Sequence, residues 1–550
     1  MKGQSFYKGS AILIIMVAVT KVMGVFYKLV LTDLLGGTGM AYYQSVYALF
    51  TPVYAVAVGG ISSAVAVMTA ENFALGRYKN ARKIRRTALW FFFLTGLVAS
   101  AVTALFSGKI SYAMQGSDNL SAGLMAAAPA LFLCCVISVY RGFSEGLCDM
   151  VPTAVSEIIE TLFKLLLGLL LVFFVYERAG GSTKTLPLTA AASVLGASLA
   201  SLFACVYLYA RLRVKGDGIT PAMLSSDRCT DSSRYIIRQL MHFAMPIAFT
   251  AAIATLINTI DLLTVPAMLK FLQERDMLDM SVLEGSGVAF EDTADFIYGS
   301  FTALALTASG MIPGFTAMLG KPALPAVSKA SAKGDREAVG RGVNDILLLS
   351  SLIAFPASFG MTVFARETLT FLFPSRVYET AVSAFPFAVL SAGLAFGCFL
   401  PPLFSLLQAV GRPGSCVKIM LLSCAVKLGG NLIFMRLPHM GVTGAALSLV
   451  LADAAAFFTA LILLCKTALV KPDISRCFAA PAFAALLCAA GAKLCYDRLY
   501  TGILHEKLRV CLLISVFWGS IIYIFSLYLL NIMPKSFKIG QNFKKIAKRA

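Results

Sequence analysis

The sequence predicts an all-α polytopic membrane protein of about fourteen transmembrane helices. Three observations carry the prediction. Hydrophobic residues make up 58% of the 550-residue chain and charged residues only 14%, so polar side chains are too few to cover soluble domains of that total size. Mean hydropathy is +0.80. Apolar stretches long enough to cross the hydrocarbon core, roughly 20 residues each, recur along the whole chain.

From the N-terminus, the first stretch is 10–32, interrupted by Lys21 and Lys28. Those charges, with no small-residue cleavage site after them, argue against a cleaved signal peptide. The next, 34–70, is uncharged and is followed by a basic segment holding Arg77, Lys79, Arg82, Lys83, Arg85 and Arg86. Stretches 88–108 and 119–140 are uncharged, whereas 153–176 carries Glu157, Glu160 and Lys164. Stretch 185–210 closes the first half. The second half continues with 239–260, 296–320, 346–365, 380–411, 416–435, 441–465, 476–496 and 510–534. With the N-terminus inside, most of the 47 Lys and Arg fall in cytoplasmic loops, which places both termini in the cytoplasm. The basic tail from Lys535 to Arg549 agrees, and the external segment 270–295 is acidic.

The chain reads as duplicated. ENFALGRYKNARKIRRTAL (71–89) and SKASAKGDREAVGRGVNDIL (328–347) each run from a helix end through a charged turn into a basic approach to the next span. EGLCDMVPTAVSEIIETLFKLLLG (145–168) and QAVGRPGSCVKIMLLSCAVKLGG (408–430) each place one lysine, Lys164 or Lys427, well inside a helix. The expected organisation is a six-helix lobe over 1–215, a cytoplasmic linker over 216–240, and a second six-helix lobe over 241–470. Two extra helices and the basic tail follow over 471–550. Six spans is an even number, so the repeats are parallel and related by an axis along the membrane normal, as in alternating-access carriers.

Several functions are excluded. The net charge is +19, but no nucleic-acid-binding motif accompanies it, so the basic residues read as loop and lipid contacts. The 13 cysteines mostly lie in apolar runs without metal spacing, and the three histidines are scattered. No metal and no cofactor are expected. There is no phosphate-binding loop and no nucleophile elbow, so the chain is not expected to be an enzyme.

Charge inside the spans is the informative remainder, because burying it is costly. Lys21 and Lys28 are two turns apart on one helix face. Either they form a phosphate-binding wall or they snorkel to the two interfaces. Glu160 and Lys164 have the spacing of an intrahelical pair, and Glu160 is also a candidate for ion coupling. Lys427, with Asn431 one turn on, is a candidate for substrate contact. Asp261, with Asn258 one turn earlier, is a second candidate for coupling to a monovalent cation. Arg141, at the end of the fourth span, reads as an interface anchor. The fixed cations outnumber the acids that could neutralise them, which suits an anionic substrate such as a diphosphate.

KVMGVFYKLVLTDLLGGTGMAYYQSVYALFTPVYAVAVGGISSAVAVMTAE (21–71) resembles the opening of the stage V sporulation protein B family. AMPIAFTAAIATLINTIDLLTVP (244–266) and ALPAVSKASAKGDREAVGRGVNDIL (323–347) resemble its seventh and eighth helices. The family lies in the polysaccharide-transport branch of the multidrug/oligosaccharidyl-lipid/polysaccharide flippase superfamily. The resemblance implies two six-helix lobes in a bacterial plasma membrane. It also implies movement of undecaprenyl-diphosphate-linked saccharides, lipid II-like peptidoglycan precursors or polysaccharide repeat units, between leaflets. By the same resemblance Lys21 and Lys28 line the cavity. Ser62 stands where the family often has proline, and the second and eighth helices lack the cavity arginines of lipid II flippases, so the glycan stays open. Two alternatives remain: an ion-coupled multidrug exporter of the same superfamily, and a non-transporting scaffold for cell-wall synthesis proteins.

Overall fold

The computed structural model describes residues 6–55, 60–115, 117–147, 149–178, 185–225, 230–275, 277–278, 283, 288–332, 335–437, 440–503, 507–530 and 532. The basic tail from Lys535 to Arg549 lies outside the described residues, as do Asp276, Asp279 and Glu284 of the acidic segment. Among the described residues the chain is helical, with no strand. Twelve helices among the described residues are long and apolar enough to cross a membrane, from Tyr78–Leu105 to Leu508–Leu529. They overlap the third to fourteenth spans expected from the sequence, the seventh lying further along at Thr255–Glu274 than the expected 239–260, and the protein is a multi-pass membrane protein.

The first two expected spans are joined differently. Helix α1 runs from Phe6 to Ala55 and is broken inside at Gly36 (φ 65°, ψ −173°). That φ lies in the left-handed region, where a side chain is strained and glycine is not. A break frees backbone groups that lipid cannot satisfy, and side chains near residue 376 take them up. Arg376 Nη2 donates to the Asp33 carbonyl, and Glu379 Oε1 accepts from the Gly37 amide at 3.3 Å. Arg376 and Glu379 are themselves paired at 3.3 Å. Gly37 serves a second purpose. A Cβ on Gly299 would sit 1.8 Å from the Gly37 carbonyl oxygen, so the two backbones cross in direct contact, as small residues permit in membranes.

Contact clustering divides the chain into two compact units. The first holds Met1–Thr307, Ser375–Ser383 and Met420–Ser448; the second holds Ala308–Pro374, Ala384–Ile419 and Leu449–Ala550. In the first unit α1 is followed by α2 (Ser62–Ala74), α3 (Tyr78–Leu105), α4 (Ser107–Gln115), α5 (Ser121–Gly146), α6 (Val151–Arg178) and α7 (Leu186–Lys215). Then come α8 (Pro221–Ser225), α9 (Ser233–Glu274) and α10 (Thr293–Ser300). Its core joins Val65 and Met68 of α2, Ile84 and Phe92 of α3, Phe143 of α5 and Leu240 of α9. Helices α6 and α7 meet at Gly168 and Gly196, where a Cβ on Gly196 would lie 2.4 Å from the Gly168 Cα.

Most of α11 (Thr307–Ala332) lies in the second unit, with α12 (Arg336–Val363), α13 (Ala365–Leu372) and most of α14 (Val377–Ala409). Parts of α15 (Pro413–Phe434) and α16 (Gly441–Ala468), then α17 (Ala480–Arg498) and α18 (Leu508–Leu529), complete it. Its core is an aromatic knot: the Phe399 ring lies 5.3 Å from Phe457, 5.2 Å from Phe478 and 5.9 Å from Phe355. Such offset and edge-on pairs add to plain apolar burial.

The segment between α7 and α9 is tied to the start of α3. Asp217 takes two bonds from Arg82, at 2.5 and 2.6 Å. Asp231 takes Arg77 at 2.5 Å and Asn80 at 2.6 Å. Ser232 caps α9 by accepting the Tyr235 amide at 3.3 Å, so the last residues of the expected 216–240 linker are already helical.

Candidate functional site

Two chambers lie side by side within the first unit. The smaller, of about 280 Å3, is walled by Lys28, Tyr43 and Tyr47 of α1, Lys164 of α6, and Asn258 and Asp261 of α9. Helical spacing puts these residues on common faces: 43 and 47 are one turn apart, as are 258 and 261. The remaining wall is the π-helical turn Phe301–Leu306 that joins α10 to α11. The wider turn brings Thr302 and Thr307 to the chamber, and single π turns of this kind often mark functional positions.

Lys28 is half-buried, and its Nζ donates to Thr307 Oγ1 at 3.4 Å. Its neighbour Tyr27 faces the other way, with its hydroxyl donating to the Ser193 carbonyl at 3.4 Å. Lys164 lies over two aromatic faces, 4.6 Å from the Tyr47 centroid and 5.3 Å from that of Tyr27. Such contacts hold an ammonium without cancelling its charge. Among the described residues neither Lys28 nor Lys164 has a carboxylate within ion-pair distance.

Asp261 is the one carboxylate among the described residues of this wall, and it is occupied. Lys427 Nζ reaches Asp261 Oδ1 at 2.9 Å and the Ala445 carbonyl at 2.8 Å, and its side chain is fully buried. Asn431 Nδ2 donates to the same Asp261 oxygen at 3.0 Å and to Thr264 at 2.8 Å. Lys427 therefore sits behind the wall rather than on it. Three ammonium groups stand against one carboxylate.

The larger chamber, of about 480 Å3, shares Tyr47, Thr51 and Lys164 with the first. Its floor is an ion cluster. Arg141, only 4% exposed, binds Glu160 Oε2 at 2.9 Å, Ser156 Oγ at 2.9 Å and Glu157 Oε1 at 3.7 Å. Ser201 donates to the other Glu160 oxygen at 2.8 Å. Phe50 and Tyr54 bring ring faces to the same space.

The structure thus brings Lys28, Lys164, Asp261 and Glu160 to the two chambers. Lys427 joins them through Asp261. Lys21 is exposed and lines neither chamber. The expected pairing of Glu160 with Lys164 is replaced, because Arg141 offers Glu160 a guanidinium from the facing helix. Arg141 itself is a buried partner rather than an interface anchor. The signal was present in the spacing. Helices α5 and α6 form a hairpin about residues 147–150, and Arg141 and Ser156 lie equally far from that turn, so the hairpin sets them opposite each other.

Comparison with known proteins follows the same lines. Residues 6–330 match the family model described as polysaccharide biosynthesis protein, and residues 296–529 match that of the lipid II flippase MurJ. Stage V sporulation protein B of Bacillus subtilis (strain 168) is 23% identical over 455 residues, 82% of either chain. Lipid II flippase MurJ of the same organism is 22% identical over 458 residues, 80% of this chain and 79% of its own. The solved inward closed structure of lipid II flippase MurJ covers 94% of this chain and 98% of its own, with a TM-score of 0.67 at 12% identity. An inward-facing MATE family multidrug resistance transporter of the MOP superfamily gives 0.63 at 13% identity, over 82% of this chain and 95% of its own. At such identities the solved structures establish the fold, and the resemblance read from the sequence is borne out.

Proposed function

The chain belongs to the polysaccharide biosynthesis protein family, and from that premise we propose that it is a flippase for a polyprenyl-diphosphate-linked saccharide. The observation that carries this reading is the uncancelled charge of the smaller chamber. Lys28 and Lys164 face it without carboxylate partners among the described residues, and its one acid is held by Lys427. A diphosphate needs such a wall: ammonium donors, hydroxyls from Thr302 and Thr307, and shielding from bulk water, which strengthens each contact. The adjoining chamber takes the first sugar residue. Its tyrosine and phenylalanine rings suit the apolar faces of a pyranose, and its serine and carboxylate oxygens suit the hydroxyls. The polyprenyl chain stays in lipid.

The transport cycle is alternating access, with the sequence repeats 1–215 and 241–470 as the moving parts. No chemical conversion of the cargo is involved. A potential positive outside helps an anion leave, at about 2.3 kcal/mol per charge per 100 mV. A cation-coupled drug exporter of the same fold would need an acid ready to take a proton or ion. Both candidates, Asp261 and Glu160, are held by cationic side chains.

The test is exposure of lipid II on the outer face of bacteria depleted of their own flippase and expressing this chain at matched membrane levels. Wild type is expected to restore exposure, and Lys28→Ala and Lys164→Ala are expected to fail. Rescue that survives both substitutions sinks the cationic-chamber assignment. No rescue by a well-expressed wild type, repeated with other polyprenyl-linked glycans, overturns the flippase reading.

A further inference from the structure

A groove of about 1310 Å3 opens elsewhere in the first unit, where α3 meets α5, α7 and the start of α9. Its chemistry changes along one helix. Arg82, Lys83, Arg85 and Arg86 line one end, joined by Arg213 of α7, and no carboxylate is among the lining residues. Further along α3 the lining becomes aromatic and aliphatic. Lys83, Arg86, Trp90 and Leu94 follow one another at helical spacing, so a single face passes from two cations to two apolar side chains. Trp90 is 71% exposed and Leu94 61%. Asp217 lies behind this end of the groove and answers only Arg82 and Arg85. Arg85 Nη1 is buried, makes no hydrogen bond, and reaches that carboxylate only across 3.5 Å. Among the described residues Lys83, Arg86 and Arg213 have no ion-pair partner.

We propose that this groove is a binding site for an anionic phospholipid. Lys83, Arg86 and Arg213 hold the phosphate and its acidic headgroup, and an acyl chain lies over Trp90 and Leu94. Each interfacial cation contributes to such binding, and pockets between basic helix ends suit headgroups of this type. A zwitterionic lipid would bring its own ammonium into a patch that already has an excess of positive charge. The occupant is distinct from any cargo of the two chambers. Tyr140 of α5 faces the groove while the next residue, Arg141, faces the larger chamber, so the groove and the chamber lie on different faces of that helix.

The chain has two tryptophans, so Trp518→Phe leaves Trp90 as the single reporter. The full-length protein is placed in phosphatidylcholine vesicles with increasing fractions of brominated phosphatidylglycerol or brominated phosphatidylcholine, and quenching of Trp90 is measured. Brominated phosphatidylglycerol is expected to quench at a several-fold lower mole fraction. Lys83→Gln/Arg86→Gln is expected to remove most of that preference, bringing the two lipids close to equal. An unchanged response to brominated phosphatidylcholine shows that α3 is still in place. If that response does change, Arg213→Gln, on a different helix, repeats the test. Equal quenching by the two lipids, or a preference that survives both sets of substitutions, overturns the proposal.

Discussion

Lys427 and Lys164 occupy similar places in the sequence, each well inside an apolar span, yet the fold treats them in opposite ways. Lys427 is fully buried and held by the Asp261 carboxylate and the Ala445 carbonyl. Lys164 faces a chamber shared with Lys28, and its ammonium rests on tyrosine rings. Burial by itself therefore does not mark a binding residue. What marks one is charge that the protein leaves uncancelled at a wall a ligand can reach. The first kind of lysine ties helices together, and on the proposed function the second kind meets the substrate.

The contrast breaks most visibly at Lys427. Lys427→Met leaves the Asp261 carboxylate buried without its cation, which costs about 3–5 kcal/mol. Thermal unfolding of the purified protein in detergent is expected to show a correspondingly large drop in midpoint. Lys427→Met/Asp261→Asn should recover much of it, because removing both charges removes the unmatched one. A single variant as stable as wild type would mean that the pair is not structural.

Arg141 comes next. Arg141→Met strands Glu160 beside Glu157, but Ser201 still donates to Glu160 and Glu157 is about one-third exposed. The expected loss is smaller, about 2–3 kcal/mol, read by the same melting experiment. Adding Glu160→Gln should restore part of the midpoint, and a double variant less stable than the single would contradict the assigned pairing.

How much of this was legible in the sequence follows from the distance over which each feature acts. Spans are local: a window of apolar residues suffices, and the third to fourteenth expected helices recur in the structure. The break in α1 is marked in the sequence by Gly36-Gly37, but hydropathy averages over it and sets the boundary between the first two spans a few residues early. Lys28 was legible as a cavity residue through helical spacing. Lys21, on the same face two turns away, was not separable from it, because the sequence does not say where along that face the chamber ends. The partners of Lys427 and Arg141 illustrate the two limits. Asp261 lies on a helix remote in sequence, so only the fold joins it to Lys427. Ser156 and Glu160 lie across a hairpin turn from Arg141, where counting outward from the turn would have found them.

On stability, the chamber lysines fall below both pairs. Lys28→Ala and Lys164→Ala relieve unmatched positive charge while losing only a weak hydrogen bond or two ring contacts. Their melting midpoints should change by less than about 1 kcal/mol equivalent, while transport falls at least tenfold. Lys21→Ala should alter neither. A transport defect in Lys21→Ala as deep as that of Lys28→Ala would extend the functional wall beyond the two chambers.

The smallest effect belongs to a third kind of pairing, at the chain segment between α7 and α9, outside the apolar spans. Burial would raise the Asp217 carboxyl, but hydrogen bonds from Arg82 and the Ile219 amide, with the charges of Arg82 and Arg85, hold it below the usual aspartate range. Asp231 is lowered in the same way against burial, by Arg77 and Asn80. A carboxyl whose folded value is lowered adds stability above its unfolded value, near pH 4, and that contribution drains as pH falls through the folded value. The pairs are partly solvated, so the effect is modest. Asp217→Asn/Asp231→Asn should melt slightly below wild type at pH 7 and at pH 5, and the gap should close as pH drops below 4. A gap that stays constant down to pH 3 would show that the two aspartates act through packing and hydrogen bonding alone, and that the charge matching seen at Lys427 is not repeated at this end of α3.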